Sequence, residues 1–139
     1  MSIEIRAASS VDRERVVAFL RRQGYPHTID EHDRHFIAER GRQVIAAVRL
    51  SSAEAALVLR GMRVGKDCQR QGIGRRLLAF VAREIGSEPC YCLPYSWLVA
   101  FYGEAGFRQI PAAEAPSFLV ARHTKYLANG QDVVVMRRP

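Results

Sequence analysis

The chain has 139 residues, of which 48% are hydrophobic and 25% are charged, and this balance excludes intrinsic disorder and predicts a single globular domain over residues 1–139. The longest stretch without a charged residue, 89–103, contains two prolines and is shorter than the roughly 20 apolar residues of a membrane-spanning helix. The 21 basic and 14 acidic residues give a net charge of +7, which suits an anionic partner such as nucleic acid, an acidic membrane or a polyphosphate-bearing small molecule.

The first part of the chain predicts one strand and one helix. Ile3–Ala7 alternates apolar and polar residues, which is typical of a strand. Ser9 and Ser10 can cap a helix that runs to about Gln23, because apolar residues recur there at helical spacing and Gly24 follows as a stop. The segment after this helix is polar and irregular, and we interpret it as a loop.

Three strands are predicted next, and the third carries a glycine. This third strand is apolar at consecutive positions, as expected of a central strand that is covered on both faces. Gly61 within it indicates a bulge or a close approach of another group to the backbone. The predicted strands are Phe36–Glu39, Gln43–Leu50 and Ala55–Val64. The turns between them are predicted at Gly41-Arg42 and at Ser51–Glu54.

The second half of the chain alternates helices with short strands. The predicted helices are Gly72–Ile85 with Gly86 as its stop, one capped by Ser96 that ends at Gly106, and one from Pro116-Ser117 to about Leu127. The predicted strands are Cys90–Leu93, Phe107–Ile110 and Val133–Met136. An antiparallel meander followed by helix–strand units predicts an α/β fold with a mixed sheet.

The most informative segment is the basic loop that joins the predicted central strand to the helix at Gly72. The first turn of a helix leaves four N–H groups without intrahelical partners, and the helix dipole adds about half a positive charge there. Gly72 and Gly74 remove side chains where a ligand must approach the backbone. Arg70, Arg75 and Arg76 add guanidinium donors that match phosphate oxygens. The segment therefore predicts a pyrophosphate site.

A glycine-containing turn that only starts a helix is the alternative interpretation of this segment. The strand before it, the helix after it and a local cluster of bases favour the anion site. The segment lacks the Gly-Lys-Ser/Thr of a P-loop and the Gly-x-Gly-x-x-Gly spacing of dinucleotide-binding proteins, which disfavours a nucleotide-hydrolysing enzyme. The clustered bases are Arg60, Arg63, Lys66, Arg70, Arg75 and Arg76.

Two runs of this sequence resemble motifs of one protein family. The runs are Gln69-x-x-Gly72-x-Gly74 and Phe101-Tyr102-x-x-x-Gly106-Phe107. They are similar to the Q/R-x-x-G-x-G/A and F-Y-x-x-x-G-F segments of the GNAT superfamily, the GCN5-related N-acetyltransferases, and the element order matches over nearly the whole chain. The resemblance implies a mixed sheet of about seven strands with helices on both faces, in which strands 4 and 5 splay apart to form a cleft.

The same resemblance implies a cosubstrate and a reaction. Acetyl-CoA would lie in the cleft, and its acetyl group would pass to a primary amine by direct attack in a ternary complex. Backbone groups of Met62 and Val64, with Arg63 between them, would pair with the acetyl and pantetheine amides, while the loop amides wrap the pyrophosphate. The cofactor-binding residues expected on this basis are Met62, Arg63, Val64, Gln69, Arg70, Gln71, Gly72, Ile73, Gly74 and Arg75.

Tyr102 is the expected catalytic residue. A thiol has a pKa of about 8.5 and a phenol a pKa of about 10, so a positioned phenol can protonate the departing CoA sulfur and still be protonated itself at neutral pH. An amphipathic aromatic residue that lines a helix face is the alternative. Because neighbouring residues point to different faces, Phe101 is expected in the core and Tyr102 in the cleft.

Two positions depart from the family pattern. Many members carry an asparagine, associated with the pantetheine arm, seven residues before the tyrosine; here that residue is Tyr95, and Tyr95 or Ser96 is the candidate to replace the contact. The central strand has no Asp or Glu between positions 55 and 64, although only about one alkyl amine in a thousand is neutral at pH 7 and a base must take its proton. Glu54, Glu39 and a water chain are the candidate bases.

Other reactive residues are expected to have structural roles. The histidines and acids between His27 and His35 lack the spacing of zinc ligands, so a solvated loop or an acceptor contact is favoured and no metal is expected. Cys90 and Cys92 are predicted to be small core residues. Cys68 lies near the predicted phosphates rather than the thioester, which favours direct attack over an acyl-enzyme route.

The remaining features indicate the compartment and the partners. The N-terminus shows no secretory signal and the cysteine count is odd, so we expect reduced thiols in a cytoplasmic protein. The aromatic residues do not interleave with the bases as a nucleic-acid platform requires, and a homodimer is compatible with the sequence. A non-catalytic acyl-CoA sensor or regulatory module is the alternative function, because the central strand lacks an acid.

Overall fold

A computed structural model describes residues 2–139, and within this range the chain forms seven strands and four α-helices. The strands are β1 (Ile3–Ala7), β2 (Arg34–Arg40), β3 (Gln43–Ala53), β4 (Ala56–Val64), β5 (Cys90–Cys92), β6 (Arg108–Ile110) and β7 (Val135–Arg138). The helices are α1 (Arg13–Arg22), α2 (Ile73–Ile85), α3 (Val99–Gly103) and α4 (Ser117–Ala128). The strand order β1-β2-β3-β4-β5-β7-β6 confirms the predicted mixed sheet. No α-helix within residues 2–139 has both the length and the apolar character that a bilayer crossing demands.

The chain folds into two compact units. The first contains the residues up to 51 together with 59–84, and the second contains 52–58 together with 85–139. The first unit carries the ten residues from Met62 to Arg75 that are expected to bind the cofactor. The second unit carries Tyr102.

Two helices cover opposite faces of the antiparallel strands in the first unit. β2 pairs antiparallel with both β1 and β3, and Ile37 lies opposite Ala47 in the register. Phe19 of α1 packs in a buried cluster with these two residues. Side chains alternate between faces along a strand, and on the other face the Phe80 ring of α2 lies 6.1 Å from the Phe36 ring. Helices therefore flank β2 on both sides, as the fold class requires.

A network of ion pairs ties β1, α1 and β2 together. Asp12 accepts hydrogen bonds from Arg6 Nη1 and from Arg15 Nη2, each at 2.8 Å. Glu39 accepts from the same two arginines, also at 2.8 Å. The Ser9 N–H donates to Asp12 Oδ2 at 2.8 Å. The hydrogen bonds from Arg6, Ser9 and Arg15 hold the pKa of Asp12 well below its usual range, because they favour the charged carboxylate.

We expect the Asp12→Asn variant to lose about 1–2 kcal/mol of unfolding free energy at neutral pH, because it breaks charge-assisted hydrogen bonds to arginines that solvent partly screens. The lowered pKa of Asp12 in the folded chain means that its contribution is complete above the ordinary carboxyl pKa of about 4 and is lost as the pH falls below it. Urea unfolding of both proteins from neutral to acidic pH measures this. Parallel pH profiles for wild type and variant would show that Asp12 contributes nothing.

The second unit joins three short strands to α3 and α4. β7 pairs antiparallel with both β5 and β6. Cys90 and Cys92 of β5 are buried free cysteines, which confirms their prediction as small core residues. Burial raises the pKa of the Cys92 thiol well above its ordinary value, so this thiol is protonated and unreactive at neutral pH.

β3 and β7 are among the strands whose boundaries differ from those predicted. β3 continues to Ala53, and its connection to β4 consists of Glu54 and Ala55, whose φ angles are +48° and +64°. Two-residue connections at positive φ match the twist of the strands they join, although glycine or asparagine usually occupies them. β7 begins at Val135, because Val133 instead forms an isolated bridge with Tyr95.

The start of α3 also differs from the prediction. Ser96 does not cap a regular helix but begins a 3-10 turn, Ser96–Leu98, ahead of α3. Its hydroxyl donates to Asp132 Oδ2 at 2.5 Å, and its N–H donates to the Asp132 carbonyl at 2.9 Å. The side chain that was expected to cap the helix is therefore bonded to the segment before β7.

Candidate functional site

The loop between β4 and α2 begins with a close approach to the neighbouring strand. The Gly65 N–H donates to the Ile45 carbonyl at 2.7 Å, and a Cβ at Gly65 would lie 3.2 Å from the same oxygen. A 3-10 turn follows over Lys66–Cys68. The Gln69 side chain then donates to the Val64 carbonyl at 3.2 Å. These bonds hold the loop against β3 and β4 and fix the direction of its backbone.

Two residues of this loop adopt the left-handed conformation just before α2. The φ angle is +64° at Arg70 and +76° at Gly72. Backbone N–H groups in such a turn converge and make a concavity that binds anions. The first bond of the helix runs from the Arg76 N–H to the Gly72 carbonyl at 3.1 Å, so the amides of Ile73 and Gly74 precede it and have no partner within the helix. The loop and helix end thus have the backbone geometry of an anion site.

The surroundings of this turn are open and basic. A Cβ built at Gly72 would meet no atom within 4 Å. Three basic residues that lie within six positions of Gly72 in the sequence are exposed, namely Lys66, Arg70 and Arg75. Arg76 is exposed too, although its Nη2 donates to the Ile3 carbonyl at 3.4 Å. A phosphate could therefore approach the Gly72 backbone closely in a region of positive potential.

The Gln71 side chain is engaged within the first unit. Its Nε2 donates to the Asp67 carbonyl at 3.4 Å, and its Oε1 accepts from Arg40 Nη2 at 3.2 Å. Like the Gln69 side chain, the Gln71 side chain therefore stabilises the loop by a hydrogen bond to a backbone carbonyl. The backbone amides, rather than the glutamine side chains, are the groups that a ligand would meet here.

β4 is distorted at Gly61, where Tyr25 approaches its backbone. Gly61 has a φ of +70°, and a Cβ there would lie 3.0 Å from Tyr25 Oη, which confirms the predicted close approach. Of the nine residues of β4, Val58 and Leu59 are buried and the others are half-buried. The prediction that this strand is covered on both faces is therefore wrong. Met62, Arg63 and Val64 thus form a half-buried stretch at the end of the strand.

A buried polar cluster lies beside this stretch. Arg49 is 1% exposed, and its Nε lies 3.0 Å from Asp33 Oδ2. The Arg49 guanidinium carbon is 5.1 Å from the centroid of the Tyr25 ring, and Asp33 Oδ1 accepts from Ser51 Oγ at 2.8 Å. His35, opposite Arg49 in the register, is 8% exposed. Burial, and secondly the Arg49 charge, lowers the pKa of His35, so its ring is neutral at pH 7.

Sequence patterns did not reveal this cluster. The prediction of a solvated loop from His27 to His35 is wrong for His35, which lies in β2 with both ring nitrogens buried and without hydrogen-bond partners in the described part of the chain. The available signal was Arg49 inside an apolar strand, because a buried guanidinium requires an anionic partner. Within residues 2–139, no three His, Cys, Asp or Glu side chains are placed to hold a metal ion.

Tyr102 lies in the short helix α3, and its side chain is buried. It is 8% exposed, and its ring makes edge contacts with Phe101 and Phe107 at centroid distances of 5.0 and 6.1 Å. Phe101 is half-buried, so it is more exposed than Tyr102, and the expectation that Phe101 is the core residue of the pair is wrong. A 3-10 turn advances about 120° per residue rather than 100°, and the turn before α3 rotates the helix from the position that a regular helix would take.

The other candidate residues already have partners or lie at the surface. Both Glu39 oxygens accept from arginines, and the residue is 6% exposed, so Glu39 belongs to the buried ion-pair network of the first unit. Glu54 is exposed in the two-residue connection after β3. Tyr95 stacks on Trp97 with 4.6 Å between ring centroids and 4° between ring planes. Ser96 is bonded to Asp132.

A family model matches more than half of the chain. The model is described as an acetyltransferase (GNAT) domain, and it matches residues 31–109. This range includes β2 to β5, the turn before α2, Tyr102 and all of β6 except its last residue. Among curated proteins, none matches the sequence.

Solved structures share the fold over almost the whole chain. One is N-acetylglutamate synthase from Neisseria gonorrhoeae, complexed with coenzyme A and N-acetyl-glutamate, which is 25% identical to this chain with a TM-score of 0.71. The match covers 99% of this chain but only 35% of the longer synthase chain. The ribosomal-protein-S18-alanine N-acetyltransferase from Escherichia coli is 18% identical, with a TM-score of 0.71 over 99% of this chain and 94% of the other. An acyl-CoA N-acyltransferase from Pseudomonas aeruginosa is 20% identical, with a TM-score of 0.71 over 99% and 100% of the two chains.

Proposed function

The chain belongs to the acetyltransferase (GNAT) domain family, and on that premise we propose that it transfers an acetyl group from acetyl-CoA to a primary amine. The observation that carries this proposal is the left-handed turn at Arg70 and Gly72, with open space at Gly72 and exposed bases nearby. A diphosphate needs this combination of backbone donors, positive charge and room. Both compact units are proposed to act together as one domain over residues 1–139.

Acetyl-CoA supplies an activated thioester. The part of β4 after Leu59 is proposed to bind its pantetheine arm. Backbone groups of Met62 and Val64, with Arg63 between them, lie on the half-buried stretch of β4 and would pair with the amides of the pantetheine arm. The space in front of Gly72, which a larger residue would reduce, suits the diphosphate. The amides proposed to bind the diphosphate belong to Gln69, Arg70, Gln71, Gly72, Ile73, Gly74 and Arg75.

Tyr102 is proposed to act as the general acid. The amine nitrogen attacks the acetyl carbonyl carbon, and the carbon–sulfur bond breaks as the tetrahedral intermediate collapses. The departing thiolate takes the proton of Tyr102 Oη, which solvent then restores. The amine proton is proposed to leave to water, since Glu39 is buried in the ion-pair network with Arg6 and Arg15 and β4 carries no carboxylate. Direct attack is preferred to an acyl-cysteine, since Cys90 and Cys92 are buried.

A similar structure and the cysteines support the remaining proposals. The N-acetylglutamate synthase structure contains coenzyme A and an N-acetylated amino acid, which supports an acyl-CoA donor and an amine acceptor. The three free cysteines fit a reducing, cytoplasmic compartment. We propose acetyl-CoA and an amine-bearing acceptor as the partners, with neither nucleic acid nor membrane, and a homodimer as a possible assembly to test.

A non-catalytic acyl-CoA sensor is the second candidate function. β4 carries no carboxylate, and Glu39 is engaged in the ion-pair network with Arg6 and Arg15. A sensor needs the turn that binds the diphosphate but does not need a base. The two functions therefore differ in turnover and not in binding.

An acceptor screen that measures free CoA, combined with thermal unfolding, tests both functions. Saturating acetyl-CoA should raise the melting temperature in either case, because a ligand at 100 times its Kd stabilises the folded state by about 2.7 kcal/mol. For the enzyme, at least one class of amine should release CoA well above the rate of hydrolysis. Stabilisation without release for any amine identifies a sensor, and the absence of stabilisation rejects both candidates.

A further inference from the structure

Arg63 on β4 is a half-buried cation that no carboxylate of the described chain neutralises. Its guanidinium carbon lies 5.1 Å from the centroid of the Tyr25 ring, and its Nη1 donates to the Met62 carbonyl at 3.2 Å. Within residues 2–139, no carboxylate oxygen lies within 4.0 Å of it. A guanidinium has five N–H donors, so one bond to a carbonyl leaves most of them for a ligand.

Arg49 provides the contrast, because it contacts the same ring and has an anionic partner. Its guanidinium carbon is also 5.1 Å from the Tyr25 centroid, and Asp33 pairs with it at 3.0 Å. The guanidinium groups of Arg49 and Arg63 therefore both contact the Tyr25 ring, and Asp33 forms its ion pair with Arg49. Charges removed from water are normally paired. The anion that Arg63 lacks is thus a candidate ligand.

The position of Arg63 in β4 relates its guanidinium to the proposed reaction. Arg63 lies between Met62 and Val64, whose backbone groups are proposed to hold the acetyl-bearing arm. Side chains alternate between the faces of a strand, and the Arg63 side chain lies on the face where Tyr25 packs. Tyr25 is 4% exposed and approaches the Gly61 backbone, so its contact with the Arg63 guanidinium holds that group beside the strand whose backbone is proposed to bind the acetyl-bearing arm.

We infer that the acceptor carries a carboxylate and that Arg63 recognises it, which makes amino acids with a free carboxylate the substrate class. This inference rests on the proposed function. The planar guanidinium offers two parallel N–H donors that match the two oxygens of a carboxylate. Its contact with Tyr25 restricts its orientation, so little conformational entropy is lost on binding. Arg63 is accordingly the specificity-determining residue, while its backbone belongs to the strand that receives the cosubstrate.

Matched acceptor pairs test this inference. We would measure kcat/KM for amino acids and for their carboxamides, in wild type, Arg63→Gln and Arg63→Lys. Wild type should prefer the acid at least tenfold, Arg63→Gln should reduce this ratio to near one, and Arg63→Lys should restore part of it. Comparing the ratio between proteins cancels the difference in amine pKa between acid and amide. An undiminished ratio in Arg63→Gln, or no preference in wild type, overturns the inference.

A charge-matched variant and a binding measurement complete the test. Arg83→Gln removes the same charge from an exposed arginine that lies over the Phe80 ring of α2 at 5.8 Å, and it should keep the wild-type ratio. Calorimetry of amino acids added to the CoA complex needs no turnover. Binding that requires Arg63 without any acetylation rejects the proposed function but upholds the carboxylate site. Efficient acetylation that does not distinguish acids from amides upholds the function and rejects the site.

Discussion

Replacing Tyr102 by phenylalanine should lower kcat by roughly 100-fold or more, because a positioned general acid contributes about 10²–10⁴ to the rate. Phenylalanine keeps the ring and its edge contacts with Phe101 and Phe107, so the fold should be preserved. The affinity for acetyl-CoA should change little, since the proposed cofactor contacts lie in β4 and the following loop. Steady-state kinetics with the best acceptor and calorimetric titration with acetyl-CoA separate the two effects.

Tyr91→Phe is the matched control for this variant. Tyr91 is a half-buried phenol on β5 in the same compact unit, with Arg137 over its ring at 5.9 Å. Removal of its hydroxyl should leave turnover essentially unchanged. Full turnover in Tyr102→Phe would remove this residue from catalysis, and equal losses in both variants would indicate general damage to the unit rather than loss of an acid.

Replacing Gly72 by alanine should weaken acetyl-CoA binding at least tenfold, which corresponds to about 1.4 kcal/mol. Gly72 has a φ of +76°, and a residue with a Cβ costs about 1–2 kcal/mol in that left-handed conformation. The turn should relax, so that its amides no longer converge. The new methyl group would also enter the open space where the diphosphate is proposed to bind.

Gly86→Ala separates this effect from a simple loss of stability. Gly86 follows the other end of α2, has a φ of +63°, and its Cβ would likewise meet nothing within 4 Å. Both variants should lower the melting temperature by similar amounts, because the backbone strain is alike. The Gly72 variant alone should bind acetyl-CoA more weakly in a calorimetric titration, and equal affinities would show that no phosphate lies near Gly72.

Local features of the sequence were sufficient to predict much of the fold and the backbone of the site. β1 has its predicted bounds, and α2 ends at Ile85 before a left-handed glycine. Apolar alternation, helical spacing and glycine stops are properties of a few neighbouring residues. The turn before α2 was predictable for the same reason, because Gly72 permits the conformation and the bases lie next to it in sequence.

Features that depend on distant partners were not predictable from these patterns. The burial of His35 and the pairing of Arg49 with Asp33 depend on how β2, β3 and the loop before them meet. Tyr102 is more buried than Phe101 because a 3-10 turn precedes α3, and no local pattern in the sequence predicts that turn. These are tertiary effects that override local preference, and they concern the buried polar cluster and Tyr102 rather than the proposed phosphate turn.

An NMR titration of the ¹⁵N-labelled protein with coenzyme A tests the central claim most directly. The claim is that backbone amides at the start of α2 bind the diphosphate. Coenzyme A should produce its largest amide shifts at residues 70–74, and pantetheine, which lacks the diphosphate, should leave those resonances in place. Binding of coenzyme A with these amides unmoved, or equal shifts with pantetheine, would contradict the account.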